Sequence, residues 1–516
     1  MSAFSAGILA AAAFVLGCTT MAIHTDSSPT APLTSETGAA LTWTSEKPHL
    51  VRARQLILAG ELAEAEKLVG SEDEADVQTR EIIRRMRYEY SLDTAAMLEK
   101  LAKDIPDINP QELQEWTDAR AIAWRKIDGQ VRYFRREPGN MFRFDALAKE
   151  RRKPFMKPVE PNTFVLTDHL AEVVKEADAT GQTLVQPVVH HVTYTLTVKP
   201  NRPGEGRGVS AGQVVRAWLP LAKEMERQTN LKIVSMSPED GIVAPNGHPQ
   251  RTVYFEQAWK DPSQPLAFRL EYQVTVHARY ARINEAVVHK GNVLEEDPAL
   301  AVYMAERPPH IVFTPQIREL VEKITADKPT PLAKAAAIYH WIDDNIPWHG
   351  ELEYCLIPSL PAAALERRRG DCGVVGMTFI AMCRAARVPA RWQSGFQTKP
   401  GELNMHDWAE FYVAPYGWLP ADVSFGKQKP RAGGPPLDER IRNFYFGHID
   451  AYRLVVNSDY GRTLFPPKKH LRSEPLDFQR GEVEIVGGAD GGRNLYFDEW
   501  SWEFDVKYEQ TKGGGR

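Results

Sequence analysis

At 516 residues the chain is too long for a single hydrophobic core, and three or four domains is the natural expectation. Hydrophobic residues at 43% and charged residues at 25% give the composition of an ordinary soluble globular protein, with no repeat or low-complexity excess. A formal net charge of −5 gives no general attraction to nucleic acid or acidic surfaces.

Residues 2–17, SAFSAGILAAAAFVLG, form an apolar run too short to span a bilayer comfortably. It ends in Val15-Leu16-Gly17-Cys18, which resembles a bacterial lipoprotein cleavage box, with Cys18 as the lipid-modified N-terminus. No Lys or Arg precedes the run, unlike an ordinary signal peptide. Ala22 to Thr42, rich in Ser, Thr, Ala and Pro, reads as a flexible tether. The expectation is an exported protein of the cell envelope, lipid-anchored to a bacterial membrane.

Residues 49–105 are expected to be helical, with Gly60 at the bend of a hairpin like one tetratricopeptide unit. Pro110 to Trp116 starts another helix, and Lys126 to Phe134 reads as a β-hairpin around Asp128-Gly129. Helices followed by a wing, with Arg80, Arg84, Arg85 and Arg87 nearby, suggest a winged-helix DNA binder. Export argues against that, and no nucleic-acid partner is expected.

From Pro187 the hydrophobic period changes to two, in Val192, Tyr194, Leu196 and Val198 and again in Phe268, Leu270, Tyr272, Val274 and Val276. With further strands at 216–220 and 252–255 this predicts an antiparallel β-sandwich. Thr314-Pro315 and Thr330-Pro331 then mark two helix starts, each an N-cap followed by proline at the first helical position. Trp500, Trp502, Phe504, Val506 and Tyr508 alternate as a last strand, free to pack on the catalytic domain or return to the sandwich. The expected organisation is a signal peptide at 1–17, a tether at 18–48, a mostly helical region with a hairpin at 49–184 and a sandwich at 185–283. A catalytic domain at 284–460 and a C-terminal β extension at 461–516 follow, making the chain multidomain α+β.

The chemistry concentrates in 369–425. Gly370-Asp371 is a turn signal, and apolar residues at helical spacing follow until Val388-Pro389. Cys372 thus opens a helix, where free amides and the dipole favour a thiolate over a thiol. Gly373 and Gly376 leave room for another chain to approach, and Cys383 is a core thiol. Met405–Val413 and Trp418–Phe425 read as two strands of a hairpin through Ala414-Pro415-Tyr416-Gly417. His406 and Asp422 share a face if residues of equal parity pair, as a three-residue loop allows, although their contact does not follow from that. A thiolate that attacks a carbonyl, an imidazole that manages the proton and a carboxylate that fixes the imidazole make Cys372, His406 and Asp422 candidate catalytic residues.

R-G-D-C-G, C-R-A-A-R-V-P-A-R-W, H-D-W-A-E-F-Y and G-W-L-P-A-D-V-S-F together resemble the transglutaminase-like superfamily core over roughly 310–460. The resemblance implies a papain/transglutaminase-like α+β catalytic core, a nucleophile at Cys372, a base at His406 and an orienting acid at Asp422. Arg387 stands where the family usually has glycine, Val388 where it has isoleucine, and Asp407 where alanine follows the histidine. Besides the Cys372 amide an oxyanion donor is needed, and Trp348 and Tyr354 are candidates by position. No Cys/His cluster resembles a zinc site, so neither metal nor cofactor is expected. The implied activity is a cysteine peptidase, amidase or acyltransferase on a peptide or protein substrate, with hydrolysis favoured. A protein-crosslinking transglutaminase and a non-catalytic interaction module are the alternatives.

Overall fold

The computed structural model describes residues 47–70, 73–152, 164–201, 208–289, 291, 293–430, 434–488 and 491–510. The chain divides into units of residues 1–36 and 37–516, and all described residues lie in the second. Cys18, the apolar run and nearly all of the tether fall outside the described residues. Among those described, no helix is long and apolar enough to cross a membrane.

Helices Pro48–Ala59 and Leu62–Lys67 meet at Gly60, whose φ of +87° and position against Lys126 O leave no space for a Cβ. Glu74–Glu89, Thr94–Ala102 and Pro110–Asp118 follow, each started by an Asp or Asn side chain that accepts a helix amide. Strands β1 (Trp124–Ile127) and β2 (Gln130–Tyr133) pair across Asp128 (φ 49°) and Gly129 (φ 80°), as the Asp-Gly turn demands. The arginines that hinted at a DNA face are engaged elsewhere. Arg85 is buried, donates to the carbonyls of Arg472 (2.7 Å) and Ser473 (3.2 Å) and pairs with Glu81, while Arg87 pairs with Glu66.

The sandwich uses β3 (Leu184–Val198), β4 (Val214–Pro220), β5 (Gln228–Ser237), β6 (Ile242–Val243), β7 (Thr252–Ala258) and β8 (Leu266–Arg279). A further sheet uses β9 (Ala390–Lys399), β10 (Glu402–Val413), β11 (Gly417–Ala421) and β12 (Arg453–Asn457), in the order β11-β10-β9-β12. Three C-terminal strands, β13 (Glu482–Val486), β14 (Gly492–Leu495) and β15 (Trp500–Gln510), then return to the sandwich. Its two sheets run β15-β3-β8-β5 and β14-β13-β4-β7-β6, all pairs antiparallel. The aromatic alternation of the last strand is thus a pairing along β3, from Trp500 opposite Val198 to Gln510 opposite Val188.

Thr314 and Thr330 cap helices Pro315–Thr325 and Pro331–Asn345 by accepting the Ile317 and Ala333 amides. Helix Cys372–Ala385 lies against the sheet, its Val375, Phe379 and Met382 in one core with Ala409 and Phe411 of β10. Its end forms without the family's glycine. Arg387 takes the left-handed conformation (φ 65°), donating to Arg384 O, and Val388 N–H reaches Cys383 O, a complete two-bond helix stop.

Candidate active site

Asp371 is the N-cap of helix Cys372–Ala385, accepting the Val374 amide at 3.3 Å, and Cys372 is the first helical residue. Its amide, as at any helix start, has no partner among the described residues. Gly373 is needed for a different reason than strand approach: a Cβ there would sit 2.4 Å from the Tyr354 hydroxyl oxygen. Gly376 is closest to the Trp408 backbone, at 3.8 Å, which is an ordinary contact for a Cβ.

The strand hairpin has the expected parity. Val413 pairs with Gly417 and Ala409 with Ala421, around a three-residue loop closed by Gly417 at φ 73°. Asp422 leaves β11 just past its last pair, and its Oδ2 accepts from His406 Nε2 at 2.8 Å. The offset along the strands is therefore bridged by a residue beyond the ladder. With Nε2–H held by the carboxylate, Nδ1 carries the free lone pair and is the atom able to receive a proton. Burial raises Asp422, but His406 and Arg453 outweigh it and hold the carboxyl below its usual range.

Arg453 was not legible in the sequence. Its Nε donates to Asp422 Oδ2 at 3.2 Å, its Nη1 lies 3.2 Å from Asp450, and its guanidinium stacks on Phe425 at 3.8 Å. Asp450 in turn accepts from the Tyr445 hydroxyl at 2.6 Å. The signal available was an arginine inside an otherwise apolar strand, Tyr452 to Val456.

The thiol does not bond His406. Cys372 Sγ donates to Asp407 Oδ2 at 3.4 Å. On β10, Asp407 shares the face of Ala409 and Phe411 beneath the helix, and His406 shares the opposite face with Trp408. The two faces meet at an edge here, because β11 pairs only with 409–413 and leaves β9 as the one strand paired with 402–408 among the described residues. Cys372 lies at that edge, with the Asp407 amide directed at it and Gln479 covering the neighbouring His406 carbonyl.

The expected low-pKa thiolate is not what the site favours. Burial, then Asp407 and Asp371, push the Cys372 thiol well above its usual value, although the residue stays partly exposed. A helix start contributes only a fraction of a charge, which burial of the thiol outweighs. Asp371 itself is pushed up to about 7 by burial and Glu351, and Asp407 well above the usual range by burial and Asp371.

Of the oxyanion candidates, Tyr354 is in the site with its hydroxyl engaged: it lies 2.9 Å from Asp371 Oδ1 and 3.1 Å from Asp407 Oδ2, and accepts Gly373 N–H at 3.0 Å. Trp348 bridges to Gly370 and carries Arg143 on its ring at 3.9 Å, with its indole N–H unengaged among the described residues. Gln479, from a segment with no sequence signal, donates to His406 O and Asp407 Oδ1, both at 2.8 Å. Cys355 and Cys383 are buried, and Cys355 Sγ accepts from Arg85 Nη1 at 3.3 Å. No cluster of His, Cys, Asp and Glu able to hold a metal occurs among the described residues.

Residues 318–423 match the sequence model of the transglutaminase-like superfamily, and this part of the chain is a transglutaminase-like domain. An uncharacterised protein of Haemophilus influenzae (strain ATCC 51907 / DSM 11121 / KW20 / Rd) is 28% identical over 188 residues, 31% of this chain and 50% of that one. The uncharacterised protein YebA of Bacillus subtilis (strain 168) is 25% identical over 134 residues, 22% of this chain and 18% of that one. The chain thus spans half or less of the curated relatives it matches. Among solved structures, a candidate cysteine protease from Cytophaga hutchinsonii aligns with a TM-score of 0.41 at 13% identity, covering 64% of this chain and 94% of that one. The periplasmic domain of TgpA from Pseudomonas aeruginosa aligns with a TM-score of 0.25 at 16% identity, covering 50% of this chain and 91% of that domain.

Proposed function

We propose that the chain is a cell-envelope thiol hydrolase or acyltransferase acting on a peptide or amide carbonyl through Cys372, His406 and Asp422, with water as the favoured acceptor. The observation that carries this reading is the His406–Asp422 pair, held at 2.8 Å beside a cysteine at a helix start inside the matched domain. His406 Nδ1 takes the thiol proton, the sulfur attacks the carbonyl, and the imidazolium protonates the leaving amine. Water, deprotonated by the same nitrogen, then resolves the thioester. The Cys372 amide and Trp348 Nε1, both unengaged among the described residues, are the donors suited to the oxyanion. A peptide or protein substrate and a lipid anchor at Cys18 belong to the same proposal.

The test is a screen of envelope-derived peptides with mass spectrometry of the products, run with wild type and Cys372→Ala. Cleavage by the wild type alone supports the reading, a product joined to an added amine assigns transfer, and equal turnover by both proteins would overturn it. The thiol's bond to Asp407 rather than His406 favours a second reading, a non-catalytic interaction module, for which neither protein would turn over any peptide.

A further inference from the structure

Asp407 has no part in the chemistry just proposed, yet it is the one acidic departure from the family pattern and it touches the nucleophile. It is buried, and the groups facing it come from three elements. Cys372 and Asp371 stand at the helix start, Tyr354 in the turn Tyr354–Leu356, and Gln479, Glu474 and Asp477 in the segment before β13. Arg480 lies behind these acids, paired with Glu474 at 2.7 Å and Glu353 at 2.5 Å.

The hydrogen-bond inventory assigns a proton. Asp407 Oδ1 accepts from Gln479 Nε2. Tyr354 has one hydroxyl hydrogen and two carboxyl neighbours, Asp371 at 2.9 Å and Asp407 at 3.1 Å. One hydrogen serves one of them, so the other carboxyl must itself donate to the tyrosine oxygen. Given to the nearer Asp371, the tyrosine hydrogen leaves Asp407 Oδ2 as a hydroxyl that donates to Tyr354 and accepts the Cys372 S–H. Burial and the surrounding acids favour the same protonated Asp407.

We propose that Asp407 is the resting partner of the nucleophile: it takes the thiol hydrogen bond, keeps Cys372 protonated, and holds the sulfur off His406 until substrate binds at the edge of β10 that β11 leaves unpaired. The thiol then turns around that edge, its S–H bond breaks, the proton passes to His406 Nδ1, and the electron pair stays on sulfur. Asp407 keeps its own proton throughout. This rests on Cys372 being the nucleophile.

The experiment is peptide-resolved iodoacetamide labelling of Cys372 against pH in the full chain, for wild type, Asp407→Ala and Asp407→Asn. Removing the acceptor and the acid should lower the pH midpoint of Cys372 labelling by about one unit, about a tenfold larger thiolate fraction at neutral pH. Asparagine has the shape of the protonated carboxyl, so it preserves the fold if alanine does not, and buried Cys355 and Cys383 remain protected in any variant that folds. A midpoint unmoved or raised in folded Asp407→Asn would overturn the role of Asp407. Turnover retained by Cys372→Ala would instead overturn the nucleophile, leaving the labelling shift readable on its own.

Discussion

Each member of the proposed catalytic set has a separable task. Cys372→Ala should abolish turnover and His406→Ala should cost nearly as much, while Asp422→Asn, which keeps the shape and loses the charge, should leave partial activity. Acting as one unit, they should not add: the Cys372→Ala/Asp422→Asn double variant should match Cys372→Ala in product-release assays. Asp371 adds a pH dependence of its own. Its carboxyl is raised from 3.8 to about 7, chiefly by burial and then by Glu351. Between those values the folded protein holds a proton that the unfolded chain has released, so stability falls as pH rises from about 4 to 7. Asp371→Asn keeps a good N-cap and removes the titration. Its Tm should fall less than that of the wild type between pH 5 and 8; parallel falls would contradict the assignment.

Among elements, what the sequence made legible was local. Thr314-Pro315 and Thr330-Pro331 announced their helices because caps act within one turn, and Asp128-Gly129 announced its hairpin because few residues adopt two successive positive φ angles. The two strands that carry His406 and lead to Asp422, and their parity, were legible for the same reason. Which face of β10 the helix would cover was not, because hydrophobic residues lie on both faces of a buried strand. That is why the thiol's bond to Asp407 was not legible in the sequence. The glycines give a clean contrast. Gly373→Ala should drive Tyr354 from its place, with a loss of about 1–3 kcal/mol from overpacking in denaturant melts. Gly376→Ala, with only ordinary contacts to meet, should match or exceed wild-type stability, since alanine is the better helix former.

At the scale of the molecule, distant segments close on the transglutaminase-like domain, which no local pattern foretells. The sandwich needs β13, β14 and β15 from the C-terminus, and the region between β12 and β13 supplies Gln479 to the site. Glu353 ties three parts together: Arg480 at 2.5 Å and Arg135 at 3.3 Å, with Arg136 also bonded to it. Burial works against its charge, but Arg480 and Arg136 prevail and hold it well below the carboxylate range. Glu353→Gln would leave buried guanidinium groups uncompensated, and a loss of about 3–5 kcal/mol is expected in equilibrium unfolding. A change under about 1 kcal/mol would mean that the arginines find other partners. The proposed chemistry itself is most directly tested by acyl capture. The full chain is mixed with p-nitrophenyl acetate, quenched in acid and mapped by peptide mass spectrometry. The account predicts an acetyl thioester on Cys372 in the wild type that is lost or greatly reduced in His406→Ala; acetylation elsewhere only, or on Cys372 to the same extent without His406, would contradict it.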